Sequence, residues 1–231
     1  MDRTKLASHL NQQPARTPVL ISLIAVLAAF GVTVAGSAAA GSEATGAACS
    51  FCGKNLVRNP GAELGRGLTA AGANGAVPGW TNAAGQFGAA AYTGFGVGWF
   101  SASSVGPKDR GKNYFFGGTT TAATGAKATI GTQTIKLPAG ASGHKATLSG
   151  WLGNYGANTA SIRATFKSAS GATLSGIRLG PDTTIGSEDM ALRSRTGKVP
   201  AGATTVIVSV TFTDHANYSL AGADDISLVL G

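Results

Sequence analysis

Charged side chains are scarce in this 231-residue chain, in which Asp, Glu, Lys and Arg together make up 12%. The few acidic residues are isolated or directly adjacent, and adjacent residues on an extended segment point to opposite faces. The sequence also contains no Gly-x-Ser-x-Gly elbow, no phosphate-binding loop and no dinucleotide fingerprint. These absences argue against an enzyme. A small hydrolase on the same scaffold is the remaining catalytic alternative.

Clusters of basic residues are absent as well. The formal net charge is +8, but the lysines and arginines are spread singly, and the longest local group is Lys108, Arg110 and Lys112 around Asp109. Nucleic-acid binding normally requires a clustered Lys/Arg surface, so no nucleic-acid partner is predicted. Weak attraction to anionic polymers or cell walls stays open.

A regular helical period is absent too, while glycine is abundant, with 35 residues. The glycines separate short apolar runs and follow no collagen-like repeat, which indicates many turns. About eight to ten short strand-like segments follow one another without a linker, which predicts an all-β fold, one antiparallel β-sandwich over residues 54–231. Jelly-roll connectivity is expected because it lets the first and last strands lie side by side.

The N-terminal region has the organisation of a secretory signal peptide. A modestly basic segment precedes an apolar run at residues 19–30, and the small-residue stretch 36–40 follows. We expect a signal-peptide helix over residues 1–40 that is cleaved near Ala40. The mature protein would be secreted, or associated with the cell surface, and would keep no stable membrane span. A retained anchor is the alternative, because the apolar run approaches the length of a span.

Residues 41–53 are predicted to be a flexible leader that contains a cysteine pair, Cys49 and Cys52. A redox C-x-x-C would need a following helix, and a zinc site would need two further ligands, whereas His144 and His215 are isolated in the sequence. In an exported chain with no other cysteine, a local disulfide between the two cysteines is expected.

Carboxylates lie at both ends of the predicted sandwich. The opening segment ends at Glu63, and the last strand begins with Asp224 and Asp225. If these ends are neighbours, their carboxylates come together and must be protonated, paired with a base or neutralised by a cation. Calcium prefers such oxygen ligands. Alternatively, Glu63 pairs with Arg58 or Arg66 and the two aspartates cap a turn.

Three short motifs resemble the galactose-binding-like jelly rolls, a group that includes several bacterial carbohydrate-binding modules. They are residues 55–63 (NLVRNPGAE), 78–81 (PGWT) and 223–228 (ADDISL). The resemblance implies a calcium ion that ties the opening segment to the last strand. Its ligands would be Glu63 and Asp225, with Asp224 as the alternative aspartate. Asp109 is a candidate for a further oxygen ligand.

Sugar-binding members of that family stack apolar sugar faces on exposed aromatic rings. Along residues 147–155, alternation places two leucines on one face and Trp151 and Tyr155 on the other. We predict a glycan platform at these two rings, with Asn154 nearby to bind hydroxyls. Trp99, in a glycine-rich loop, is expected to form a binding rim or a lid. The alternative is that the aromatic rings fill the core.

Together these patterns predict an exported, non-catalytic module that binds a carbohydrate or a cell-wall polymer and carries a structural calcium ion. The alternative is a secreted structural or adhesion protein of the same fold that has no glycan site.

Overall fold

The computed structural model describes residues 49–70, 75–93, 96, 98–118, 127–213 and 219–231. The predicted signal peptide and most of the predicted leader lie outside these residues, so both stay predictions. Among the described residues, none forms a helix long and apolar enough to cross a membrane.

The described residues form ten strands in two antiparallel five-stranded sheets. In chain order the strands are β1 (Thr81–Ala84), β2 (Gly88–Ala91), β3 (Asn113–Phe116), β4 (Ala128–Lys136), β5 (Lys145–Gly153), β6 (Thr159–Ser168), β7 (Thr173–Leu179), β8 (Met190–Lys198), β9 (Ala203–Thr213) and β10 (Gly222–Leu230). Sheet A has the order β2-β3-β10-β5-β8, and sheet B has the order β1-β4-β9-β6-β7. The prediction of an all-β antiparallel sandwich is confirmed.

Alternation along the strands builds the core between the two sheets. Side chains two residues apart share a face of a strand, and one apolar face of each central strand is turned towards the other sheet. Sheet B contributes fully buried residues of β9 and sheet A those of β5 and β10, among them Val206, Val208, Val210, Phe212, Leu148, Leu152, Ile226 and Leu228. Each such side chain stabilises the fold by about 1.5–3 kcal/mol relative to an exposed position.

The opening segment lies along the last strand. Leu56 donates its amide to the carbonyl oxygen of Leu228 at 2.9 Å, and Ile226 donates to the carbonyl oxygen of Pro60 at 3.0 Å. The described residues of this segment form isolated backbone contacts with β10 and no strand of their own. The two ends of the domain are therefore neighbours in space.

The disulfide expected between Cys49 and Cys52 is present, with the two Cα atoms 5.3 Å apart. Between the two cysteines, Phe51 packs against the edge of the core, and its ring meets the ring of His144 edge-on at 5.2 Å. The described part of the predicted leader, residues 49–53, thus lies against the sandwich.

Candidate functional site

Three of the four predicted metal ligands gather around Gly61, where the opening segment meets β10. A Cβ atom on Gly61 would lie 3.1 Å from Oδ1 of Asp224, 3.5 Å from Oδ1 of Asp225 and 3.7 Å from Cγ of Glu63. The fourth residue, Asp109, is close enough for its charge to act on Asp225. The fold therefore brings together carboxylates from three stretches that are far apart in the sequence.

Glu63 ties the opening segment to the start of β3. One of its carboxylate oxygens accepts a hydrogen bond from the amide of Asn113 at 2.9 Å, and the other accepts one from the amide of Lys112 at 3.0 Å. The alternative pairing of Glu63 with an arginine is not formed. In the part of the chain that the structure describes, the only ion pair joins Arg193 and Asp182.

Asp224 is fully buried where β10 carries an irregularity. One oxygen accepts a hydrogen bond from the hydroxyl of Tyr92 at 2.7 Å, and the other accepts one from the amide of Asp225 at 2.8 Å. Burial raises the pKa of Asp224 to about 8; the charges of Asp225 and Glu63 add to this rise, and the two hydrogen bonds oppose it. Burial, and then the charges of Asp109 and Glu63, also raise the pKa of Asp225.

The donor set of this acidic cluster suits a hard cation. Carboxylates supply oxygen ligands, which calcium prefers, and a cation relieves the repulsion between them. No three of the four carboxylates place an oxygen each within 4.8 Å of one another; among the described residues, only Cys49, Cys52 and His144 form a ligand group that compact. The two sulfur atoms of that group are joined in the disulfide. The acidic cluster therefore remains the candidate for a cation, in a more open arrangement.

A second candidate region is the outer face of sheet A, the face turned away from sheet B. The connection from β2 to β3 crosses this face, and we call its residues 98–112 the crossing loop. On the far side, Met190 of β8 donates its amide to the carbonyl oxygen of Val105 at 2.7 Å. Val105 in turn donates its amide to Oδ1 of Asp189 at 3.1 Å. The crossing loop thus reaches from β2 to the opposite edge of the sheet.

An aromatic cluster lies between the crossing loop and sheet A: the loop supplies Trp99 and Phe100, and β3 supplies Tyr114 and Phe116. The ring of Phe100 lies against two glycines of neighbouring strands, so that a Cβ on Gly153 or Gly222 would lie 2.6 or 2.7 Å from it. Trp99 is only 4% exposed and packs on Phe116, with ring centroids 4.9 Å apart. For Trp99 the core-filling alternative therefore applies, because its ring offers no open face for a sugar.

Substitution of Gly153 by alanine is expected to destabilise the domain by about 1–3 kcal/mol, because the new methyl group would overlap the ring of Phe100. Urea unfolding measures this change. Ser149→Ala is the matched control and should have little effect, because Ser149 lies on the same face of β5 four residues before Gly153. Equal stability of the two variants would show that Phe100 does not pack on this strand.

Trp151 lies at the boundary of the part of sheet A that the crossing loop covers. It is partly buried against the aromatic cluster, and its neighbour across to β8, Leu192, is 52% exposed. Leu148 and Leu152 of the same strand are fully buried in the core. The predicted division of β5 into a leucine face and a tryptophan face is therefore present.

Asn154 and Tyr155 follow the end of β5. Phe100 covers Gly153, which lies between Trp151 and Tyr155 in the chain. Asn154 is 2% exposed and donates its side-chain amide to the carbonyl oxygen of Asp182, so its polar group is turned into the protein. Of the four predicted glycan-binding residues, Trp151 and Tyr155 are partly exposed, whereas Asn154 and Trp99 are buried.

Next to Trp151, away from the crossing loop, the outer face of sheet A carries a row of small hydroxyl-bearing residues. They come from β5, β8 and β10 and are exposed or partly exposed: Thr147, Ser149, Ser194, Thr196 and Ser227. The hydroxyl oxygens of Thr147 and Thr196 lie 3.3 Å apart. We call this region the hydroxyl floor. Sequence reasoning missed it because it depends on the register between β5 and β8, which no local pattern fixes.

Comparisons with known proteins support the fold. No protein-family model matches this chain, and no curated protein matches it. The enzymatically active domain of tailspike protein 4 from bacteriophage CBA120 superposes with a TM-score of 0.51 at 16% identity, over 77% of this chain and 21% of the tailspike chain. A cyclase from Fischerella sp. TAU superposes with a TM-score of 0.51 at 12% identity, over 76% of this chain and 95% of the cyclase.

Carbohydrate-binding modules are also among the similar solved structures. A module of family 61, solved in complex with β-1,4-galactotriose, has a TM-score of 0.47 at 14% identity, over 77% of this chain and 99% of the module. This chain spans about a fifth of the tailspike chain. At these identities the likeness shows the two-sheet sandwich alone, and the similar structures include both binding modules and enzyme domains.

Proposed function

We propose that this protein is a non-catalytic jelly-roll module that binds a polysaccharide or cell-wall glycan on the hydroxyl floor, with Trp151 as the stacking residue. The observation that carries the proposal is the position of Trp151, at the edge of the covered aromatic cluster and beside exposed hydroxyl groups. Binding sites combine aromatic or apolar surface with a few polar groups that fix orientation. This arrangement supplies both.

The apolar part of the proposed site extends beyond Trp151. Leu192 and Val105 are 52% and 61% exposed, and Val105 is hydrogen-bonded to Met190, two residues before Leu192 on β8. Large exposed apolar side chains that lie close together often mark an interaction site. Together with Trp151 they would form the wall against which one end of the glycan rests.

The acidic cluster has a different proposed role, as a structural calcium site. Glu63, Asp225, Asp224 and Asp109 would supply carboxylate oxygens, and backbone carbonyls and water would complete the six to eight ligands that calcium takes. The raised pKa values of Asp224 and Asp225 support the proposal, because crowded carboxylates gain most from a cation. Bound calcium would hold the opening segment against β10.

We also propose that the protein acts outside the cell or at the cell surface. The basic segment, apolar run and small-residue stretch at the N-terminus support export. Both proposed ligands, a cell-wall polymer and calcium, are met there.

The stacking role of Trp151 is tested by retention on immobilised polysaccharides. Trp151→Ala should weaken binding by about 2 kcal/mol or more, at least roughly 30-fold, because a central aromatic anchor carries much of the affinity of such sites. Tyr155→Ala is the matched control and should bind like the wild type, since Tyr155 follows the end of β5 that is remote from the hydroxyl floor, beyond the glycine that Phe100 covers. Unfolding curves check that both variants fold.

The outcomes distinguish the candidate functions. Full retention of the Trp151→Ala variant would contradict the proposed stacking role. If the wild-type protein binds no polysaccharide of a broad panel, the structural or adhesion alternative is favoured.

A further inference from the structure

We infer that the glycan bound on the hydroxyl floor is anionic, with carboxylate or sulfate groups along its chain, and that Lys145 and Lys198 select it. The inference rests on the proposed function, because it concerns the same face of sheet A. It adds the chemical class of the ligand and the residues that read its charge.

The register of β5 and β8 places the two lysines together. These strands pair over nine residues without an irregularity, with Lys145 directly opposite Lys198 and Trp151 directly opposite Leu192. Opposite residues project to the same face of a sheet, and so do residues two apart on one strand. Both lysines therefore lie on the outer face of sheet A, six residues and roughly 20 Å along the strand from Trp151.

Neither lysine of the pair forms an ion pair with another described residue. Lys145 and Lys198 are both exposed, and the single ion pair formed by the described residues is that of Arg193 and Asp182. Like charges directly opposite one another destabilise a sheet. The two exposed ammonium groups are therefore available to a ligand that carries negative charge.

Acidic and basic residues also lie at opposite ends of this part of sheet A. Asp224 and Asp225 lie near the start of β10, whereas the lysines lie beside its end, where Leu230 pairs with the residue after Lys145. The hydroxyl floor occupies the length between them. A bound chain would rest an apolar sugar face on Trp151, place its hydroxyl groups over the floor and bring an anionic group to the lysines.

A polyanionic nucleic acid fits this face less well. Binding of single strands uses several stacking rings or guanidinium planes together with basic residues. Here one tryptophan borders the floor, and by alternation Arg193 and Arg195 of β8 point to the other side of the sheet. The combination of one ring, several hydroxyl groups and two lysines favours an acidic polysaccharide.

The experiment compares four probes by affinity electrophoresis of the full chain: polygalacturonate, chondroitin sulfate, a neutral β-galactan and a single-stranded oligonucleotide. We expect the wild type to bind an acidic polysaccharide more tightly than the neutral one, with an affinity that falls as salt rises. The two acidic probes distinguish carboxylate from sulfate recognition.

The double variant Lys145→Gln/Lys198→Gln should lose about tenfold in affinity for the acidic polysaccharide and most of its salt dependence, because charge-assisted contacts are removed. Its affinity for the neutral galactan should not change. The matched control is Lys136→Gln/Lys167→Gln, which removes two lysines that flank Thr205 on sheet B. It changes the net charge equally and should bind like the wild type.

Each contrary result has a distinct meaning. Equal affinity for acidic and neutral glycans, unchanged in the double variant, would overturn this inference and leave the proposed function standing. Binding of the oligonucleotide as tightly as the acidic glycan would overturn it in favour of a nucleic-acid ligand. An equal loss of affinity in the sheet B variant would mean that net charge alone determines binding, and it would overturn the specific role of Lys145 and Lys198. Failure to bind any polysaccharide would overturn the proposed function itself.

Discussion

Chelation of divalent cations is expected to lower the thermal unfolding midpoint of this domain by roughly 5–10 °C. A ligand present at 100 times its Kd stabilises the folded state by about 2.7 kcal/mol, and each kcal/mol shifts the midpoint of a domain of this size by roughly 2–4 °C. The physical reason is the cluster of Glu63, Asp109, Asp224 and Asp225, which has no basic partner among the described residues. Calorimetric scans with calcium and with excess chelator measure the difference.

Glu63→Gln should abolish this response to calcium. The substitution keeps one carbonyl oxygen, and Oε1 of Glu63 lies within hydrogen-bonding distance of the amides of both Lys112 and Asn113, so the change removes the charge and one of the two contacts to Lys112. Glu188→Gln, at the far edge of the sheet, is the matched control and should respond like the wild type. If chelation does not change the wild-type midpoint, the calcium proposal is contradicted. Protonation of the buried Asp224 would then be what relieves the repulsion within the cluster.

The fold could be predicted because its core follows a local rule. The segment that forms β9 alternates strictly, and the structure buries the face that carries Val206, Val208, Val210 and Phe212. The proximity of the carboxylates at the two ends of the domain could also be predicted. Since the sequence indicated a first and a last strand, a topology that makes them neighbours also makes Glu63 and the late aspartates neighbours.

The crossing loop could not be predicted, because its position depends on residues far away in the chain. Trp99 and Phe100 lie in a glycine-rich segment whose local pattern does not say which surface it covers. What places Phe100 is the space left by Gly153 and Gly222 on adjacent strands. A glycine within each of two strands indicates that another group packs closely on the sheet there. This signal can be interpreted only when the two strands are known to be neighbours.

The pairing of Lys145 with Lys198 could not be predicted from the sequence for a similar reason. Lys145 and Lys198 are 53 positions apart in the sequence, so the basic residues looked evenly spread. Strand β8 has an exposed, mostly polar pattern with little apolar alternation, and register is weakly specified where a strand has no clear apolar face. Hydrogen bonding to β5 fixes the register and creates a local concentration of charge.

In the absence of a bound cation, the domain is expected to lose stability as pH rises from about 4 to about 8. The pKa of Asp224 is about 8 in the folded protein, against an ordinary value of 3.8. Between these values the folded state holds a proton that the unfolded chain has released, so raising the pH favours unfolding. The stabilisation is complete below the ordinary pKa and is lost as pH passes the folded value. The raised pKa of Asp225 acts in the same direction.

Urea unfolding with chelator present, followed from acid to mildly alkaline pH, measures this slope, which approaches about 1.4 kcal/mol per pH unit for one proton. Asp224→Asn should flatten it, because the amide keeps an acceptor for Tyr92 but does not titrate. Asp182→Asn is the matched control: hydrogen bonds from Thr184, and then Arg193, lower the pKa of Asp182 to about 2, so its loss leaves the slope above pH 4 unchanged. With calcium the slope should vanish or reverse, because the ion binds ionised carboxylates and competes with their protons. Stability that rises with pH in chelator would mean that Asp224 is already ionised in the folded protein and would contradict this prediction.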